Sequence, residues 1–177
     1  MALVVETGDG LPNADAFVSV ADCTTFCEAR GLTGWTERTS DPDADEAAIR
    51  RATAWLSSAF TWKGSRTNGR DQALAFPRTD VEDGEGEEVP SDELPVEIVQ
   101  ACCVAAAYER ANPGGLTPNV TLTNRVKSKG IGPLRKEYFA APMSADAVRP
   151  VLTQVRDIVS GLLATGSNGL SGRVVRG

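Results

Sequence analysis

Apolar residues recur along the chain in four helix-period segments, separated by turn-forming stretches. The most regular runs from Pro42 to Phe60, where Ala48, Ile49, Ala52, Trp55, Leu56, Ala59 and Phe60 share one face and Arg50, Arg51, Ser57 and Ser58 fall off it. Asp41-Pro42-Asp43 supplies its start: proline suits a first helical turn, and Asp43, Asp45 and Glu46 complement the positive end of the helix dipole. An earlier, shorter helix is expected between Ser19, an N-cap with Asp22 three residues on, and Gly31, which can end it; Cys23, Phe26 and Cys27 form its apolar face. A third helix, with Pro95 at its first position, is apolar at nearly every place from Val96 to Tyr108 except Glu97 and Gln100, so it should be central. Asn112-Pro113-Gly114-Gly115 stops it. The last helix carries Val148, Val151, Leu152, Val155, Ile158, Val159 and Leu162 on one broad face, with Pro150 in its first turn and Ser144 capping a preliminary turn.

The intervening stretches read differently. Residues 1–18, with Gly8-Asp9-Gly10 and Pro12-Asn13-Ala14-Asp15, read as an extended arm crossing the surface. Residues 63–93 hold few periodic apolar positions and much Gly, Asp and Glu, which predicts a long irregular connection. Within 120–139, Val120 to Lys127 and Ile131 to Phe139 suggest a two-stranded hairpin joined around Lys129-Gly130, its second strand interrupted by Gly132-Pro133. After Ala164 the chain becomes a Gly/Ser-rich tail, 165–177, with the apolar-basic tip Leu170, Arg173, Val174, Val175 and Arg176. The expected fold is mainly α: a bundle of about four helices in a single domain, 1–164, with a β-hairpin between the third and fourth. Trp55, Leu56, Val99, Cys103, Val155 and Leu162 should lie inside.

Composition sets the size of that core. A chain of 177 residues with 41% hydrophobic side chains can bury a core without a metal or disulfide staple. Cys23, Cys27, Cys102 and Cys103 sit in apolar helical patterns, so they read as small buried side chains in a reducing compartment. Adjacent Cys102 and Cys103 point about 100 degrees apart on a helix, and there is no His, so no metal site is expected. The start, MALVVETGDG, lacks the basic and long apolar regions of a signal peptide, and no apolar run has the 18 or so residues of a membrane span. A soluble, intracellular chain without a membrane partner is the expectation.

The net charge of −6 opposes wrapping of nucleic acid, which needs clustered Lys and Arg. Charge is uneven, however. Asp80, Glu82, Asp83, Glu85, Glu87, Glu88, Asp92 and Glu93 form an acidic run, whereas Arg125, Lys127, Lys129, Arg135 and Lys136 form a basic cluster relieved by Glu137. A solvated loop, or an acidic face toward a partner, is the simpler reading of the first. An EF-hand frame on Gly86 puts Val81 at the first ligand position, and one on Gly84 puts Thr79 there. The basic hairpin, with Tyr138 and Phe139 beside it, could contact phosphates and stack bases, although such hairpins are more often solvated or interface strands.

Catalytic patterns are missing. Without His a Ser or Cys nucleophile lacks its commonest base, and no G-x-S-x-G elbow or paired carboxylate in an apolar setting occurs. The stretch from Gly64 to Asp71 has the glycine spacing of a phosphate loop, but Arg70 and Asp71 stand where Lys and Ser or Thr are required. No enzyme activity, catalytic residue or cofactor is expected. The candidate contact residues are Arg66, Arg70, Glu85, Glu87, Glu88, Arg125, Lys127 and Lys129 for neighbouring subunits or a tail, and the 170–176 tip for docking.

Three blocks carry a resemblance: MALVVETGDGLPNADAFVSVAD, RRATAWLSSAFTWKGSRTNGRDQALAFPRTDVEDGEGEEVPSDELPVEIVQAC and VKSKGIGPLRKEYF. Together they resemble the head-to-tail connector proteins of long-tailed bacteriophages, the adaptor or head-completion proteins, in a branch often labelled DnaT-like single-stranded DNA-binding. The resemblance covers most of the chain and is weakest at 32–43 and 112–124. It implies a structural virion protein at the head-tail interface, present in the host cytoplasm during assembly. About twelve copies would form a ring below the portal protein and meet the next connector or tail-terminator protein, with genome dsDNA passing through. By the same resemblance Leu170, Arg173, Val174, Val175 and Arg176 would reach into the portal, where many weak tails engage together. Net negative charge suits a ring through which DNA slides. The alternative is a DnaT-like single-stranded DNA-binding protein, supported by the basic hairpin and by Arg66 and Arg70.

Overall fold

A computed structural model describes residues 2–118, 128–131, 134–137, 150 and 152–164, the strand residues 128–131 and 134–137 by their backbone alone. Among these residues the fold is mainly helical. Five α-helices, α1 (Val20–Ala29), α2 (Thr33–Thr36), α3 (Pro42–Ala59), α4 (Val96–Ala111) and α5 (Thr153–Val159), accompany a two-residue antiparallel ribbon, β1 (Ser65–Arg66) with β2 (Arg78–Thr79), and an antiparallel hairpin, β3 (Ser128–Ile131) with β4 (Leu134–Glu137).

Local chemistry sets the ends of α1. The Ser19 oxygen accepts the Asp22 amide at 3.1 Å, while the Ser19 hydroxyl donates to the Asp22 carboxylate. At the other end Gly31 takes φ 61°, a conformation costly for a side chain with a Cβ. Its amide donates to the Glu28 carbonyl and the Leu32 amide to the Cys27 carbonyl, the Schellman pairing that satisfies carbonyls left free by a helix end. One turn later α2, which no periodicity announces because a single turn has none, places Trp35 wholly in the core. The Trp35 indole N–H donates to Thr24 Oγ1 at 3.0 Å.

The stripe of α3 behaves as its spacing requires: Ala48, Ile49, Ala52, Trp55 and Leu56 are buried, and Asp41 caps the helix by accepting the Ala44 amide. Ala59 is exposed, however, and Phe60 leaves the helix in an extended conformation. Helix α4 lies against α1, α2, α3 and α5. Its small residues make this possible: Ala101, Cys102, Cys103, Ala105, Ala106 and Ala107 are buried around its circumference, so four neighbours approach closely. Pro95 sits just before α4 rather than at its first position, Val99 is only partly buried, and Val96 faces solvent.

The last helix is shorter than its apolar stripe. It starts at Thr153, so Pro150 precedes it, and a 3-10 turn, Ser160–Leu162, completes the element. Leu152 and Leu162 pack from backbone outside the α-helix, because burial requires a position and not a particular backbone. Ser144, Val148 and Val151 lie outside the described residues. In the hairpin, Ser128 pairs with Glu137 and Ile131 with Leu134, leaving only Gly132 and Pro133 between the strands. Lys129-Gly130 therefore lies within β3 and is not the turn. The expected first strand, Val120 to Lys127, lies outside the described residues.

The amino-terminal segment is not an extended arm. Val5 and Ala16 form a parallel bridge, and the loop between them closes on the Glu6 carboxylate. That carboxylate accepts the amides of Thr7, Gly8, Gly10 and Leu11 at 3.1, 3.0, 2.9 and 2.9 Å. The turn formers of this segment fold back on one buried acid, and Ala14, Ala16, Phe17 and Val18 join the core beside it.

Candidate interaction surface

The excursion of 63–93 grows from an aromatic anchor. Trp55 of α3 meets Phe60 edge-on at 5.7 Å, Phe60 meets Trp62 at 5.5 Å, and Trp62 meets Phe76 edge-on at 5.1 Å. The anchor ties the end of α3 to the return of the loop. Gln72, wholly buried, donates to the Leu74 and Pro77 carbonyls and accepts the Asn68 amide. Leu74, Ala75, Phe76 and Val81 are buried as well, so this stretch is packed on an apolar spine and not exposed throughout.

On that spine the charged side chains are displayed. Arg78 donates to the carbonyls of Lys63, Gly64 and Ala75 at 2.6, 2.7 and 3.1 Å. Burial, followed by the nearby charge of Arg66, holds its guanidinium below the ordinary arginine value. Register places Arg66 directly opposite Arg78. Gly64, at φ 61°, packs against the Thr79 and Asp80 carbonyls, where a Cβ would collide with backbone. Arg66 and Arg70 are exposed.

The acidic loop is built as firmly. Asp83 Oδ1 accepts the amides of Glu85 and Glu87 at 2.8 and 2.9 Å, and these bonds hold its carboxyl below the usual range. Glu82 bridges Glu88, and the Val89 amide donates to the Val81 carbonyl. Glu85, Glu87 and Glu88 point to solvent.

Elsewhere the polar groups are enclosed. Asp45, in the first turn of α3 where an acid complements the helix dipole, is buried between Arg38 and Arg110 at 2.9 and 2.8 Å. Glu109, wholly buried, accepts Arg51 Nε at 2.6 Å and the Gly114 and Leu116 amides. Sequence reasoning passed over Glu6, Gln72 and Glu109. The available signal was a lone acid or amide next to glycine-rich turns, whose free amides need an acceptor.

The cysteines are free and buried as their patterning requires. Cys23 and Cys27 Sγ atoms stand 4.0 Å apart, and Cys102 contacts Thr53 Oγ1 at 3.3 Å. The hydrogen bond to Cys103, with burial, pushes the Cys23 thiol up, and burial pushes Cys102 up to about 12. Cys23 and Cys102 are thereby held as neutral thiols, whereas the hydrogen bond with Cys23 pulls the Cys27 thiol down. Among the described residues no group of His, Cys, Asp or Glu could hold a metal ion, and no helix is long and apolar enough to cross a membrane. An open groove of about 370 Å³ between α2, α4 and the start of α5 is lined by Leu32, Val104, Ala107, Tyr108 and Leu152, and among the described residues no carboxylate, thiol or cation lines it.

Of the contact residues expected from sequence, the structure brings Arg66 and Arg70 to the ribbon and Glu85, Glu87 and Glu88 to the neighbouring acidic loop. Lys129 falls within β3, while Arg125, Lys127, Leu170, Arg173, Val174, Val175 and Arg176 lie outside the described residues. No curated protein and no solved structure matches the chain. One family model does, over residues 1–177, under the description "Putative DnaT-like ssDNA binding protein". The chain belongs to this DnaT-like family.

Proposed function

We propose that the chain is a structural assembly subunit of a long-tailed phage. It forms a ring below the portal that joins head to tail and lets the genome pass. The observation that carries this reading is the placement of the tryptophans: Trp35, Trp55 and Trp62 are all buried, so none offers a stacking platform for bases. What the described surface displays instead is paired, backbone-braced loops of opposite charge on a helical body, which suits contacts between proteins. The block resemblance to connector proteins and the net charge of −6 support the same reading. The apolar-basic tip at Leu170, Arg173, Val174, Val175 and Arg176 would be the portal-docking element.

The family description favours a second reading, binding of single-stranded DNA, and supports it more directly than it supports a connector. Its residues would be Arg66 and Arg70 with the hairpin cations. One experiment separates the two. The protein is imaged by electron microscopy with and without the portal of its phage, and a labelled oligonucleotide is titrated with micromolar protein at low salt. Rings seated on portal without salt-dependent oligonucleotide binding would support the connector. Tight, salt-sensitive binding by a chain that never forms rings would replace it with the second reading. Deleting 166–177 should leave the fold intact and abolish portal attachment.

A further inference from the structure

The arginines of the α3–α4 pair and those of the ribbon differ in their partners. Arg38, Arg50, Arg51 and Arg110, on or beside α3 and α4, each reach a carboxylate within 2.6 to 2.9 Å. Arg66, Arg70 and Arg78, on or beside the β1–β2 ribbon, have no such partner among the described residues. Across the ribbon Arg66 faces Arg78, and like charges directly opposite on paired strands are destabilising unless an anion neutralises them. The acidic loop mirrors this state. Glu85, Glu87 and Glu88 are exposed and form no salt bridge among the described residues. Two braced patches of opposite sign therefore sit in one excursion without pairing with each other.

We propose that the ribbon patch of one copy, Arg66 with Arg70, seats on the acidic loop of a second copy, Glu85, Glu87 and Glu88, in a head-to-tail contact. The contact rests on the reading of the chain as an assembling subunit. A second copy fits better than a nucleic acid for two reasons. The acidic loop next to the ribbon repels a polyphosphate, whereas it is itself the complement that a second copy requires. The ribbon's aromatic side chains, Trp62 and Phe76, are buried and unavailable to bases. A head-to-tail contact uses one patch from each partner and leaves the other free, so it propagates and closes into a ring where the rotation allows. Exposed charges at such a contact set register and rate, and multiple copies make it durable.

The test is a charge exchange on the full chain. One variant carries R66E and R70E, the other E85K, E87K and E88K, and a control carries E28K and E37K at exposed α1 and α2-end positions. Self-association is read by sedimentation and cross-linking at low salt, and folding by circular dichroism. Each patch variant alone should associate at least tenfold more weakly than the wild type. Their equimolar mixture should recover association in alternating order, and the control should behave as wild type. Wild-type association by either patch variant, or a mixture that fails to recover, would overturn the contact while leaving a ring formed by other surfaces intact. Loss of oligonucleotide binding in the R66E, R70E chain with unchanged self-association would also overturn it, assigning the ribbon to phosphate. A wild-type chain that stays monomeric even with portal would overturn both the contact and the assembling reading beneath it.

Discussion

The α3–α4 body and the 63–93 excursion are both rich in charge, yet they handle it in opposite ways. In the body Asp45 and Glu109 are buried among arginines and backbone amides, so each charge meets its complement within the fold. In the excursion the apolar side chains Leu74, Ala75, Phe76 and Val81 are buried, Arg78 and Asp83 brace the backbone, and Arg66, Arg70, Glu85, Glu87 and Glu88 are turned outward. Removing a partner in the first region strands a buried charge or orphans amides. Removing an outward charge of the second, such as Arg70 or Glu85, changes little in the folded chain. Charges that the fold does not consume are those available to partners.

The largest expected effect is in the body. Glu109→Ala removes the acceptor of Arg51 and of two backbone amides, and urea unfolding should show a loss of about 3 kcal/mol. Glu6→Ala should follow, at about 2 kcal/mol, because four amides lose one carboxylate. If either matched wild-type stability, enclosed acids would not be holding the turns.

A pH measurement sharpens the comparison. The folded Cys102 thiol is raised from 9.0 to about 12, so the unfolded chain releases this proton first. Its contribution is fully present below pH 9.0 and is lost as pH rises toward about 12. Over that window the slope from this group approaches about 1.4 kcal/mol per pH unit, and Cys102→Ala should flatten the profile by that amount. An unchanged slope would show that the thiol titrates normally in the fold. A smaller loss, about 1 kcal/mol, is expected for Ser19→Ala, since α1 then starts without its cap. The smallest effect belongs to the excursion: reversing Arg70 or Glu85 should leave the thermal midpoint unchanged, and a clear drop would mean that these side chains support the fold after all.

The helices were legible because their determinants are local. Ser19, Gly31, Asp41 and Pro42 act within one turn of where they stand, and the stripe of α3 is a property of spacing alone. Errors arose where a residue's role depends on something distant. The apolar stripe passes through Pro150 although the helix starts only at Thr153, and Lys129-Gly130, turn-like in the local pattern, lies within a strand because its partner, Leu134–Glu137, stands further along the chain. Among the candidate contact residues, exposure of Arg66, Arg70, Glu85, Glu87 and Glu88 followed from a charged, aperiodic stretch. The rest of the buried spine beneath them did not, since Gln72, Leu74 and Ala75 show no period.

By itself the sequence determined that α1, α3, α4 and α5 exist, that α4 is the central one, and that the chain carries acidic and basic stretches of unequal distribution. Capping, periodicity and composition need only neighbours along the chain. Only the tertiary structure decided which charges are enclosed and which remain free. Arg51 meets Glu109 across 58 positions, and Arg110 meets Asp45 across 65, once α3 and α4 pack side by side. Neutralisation is a matter of distance in space, so nothing in the local pattern distinguishes Arg51 from Arg66. The packing of two helices does.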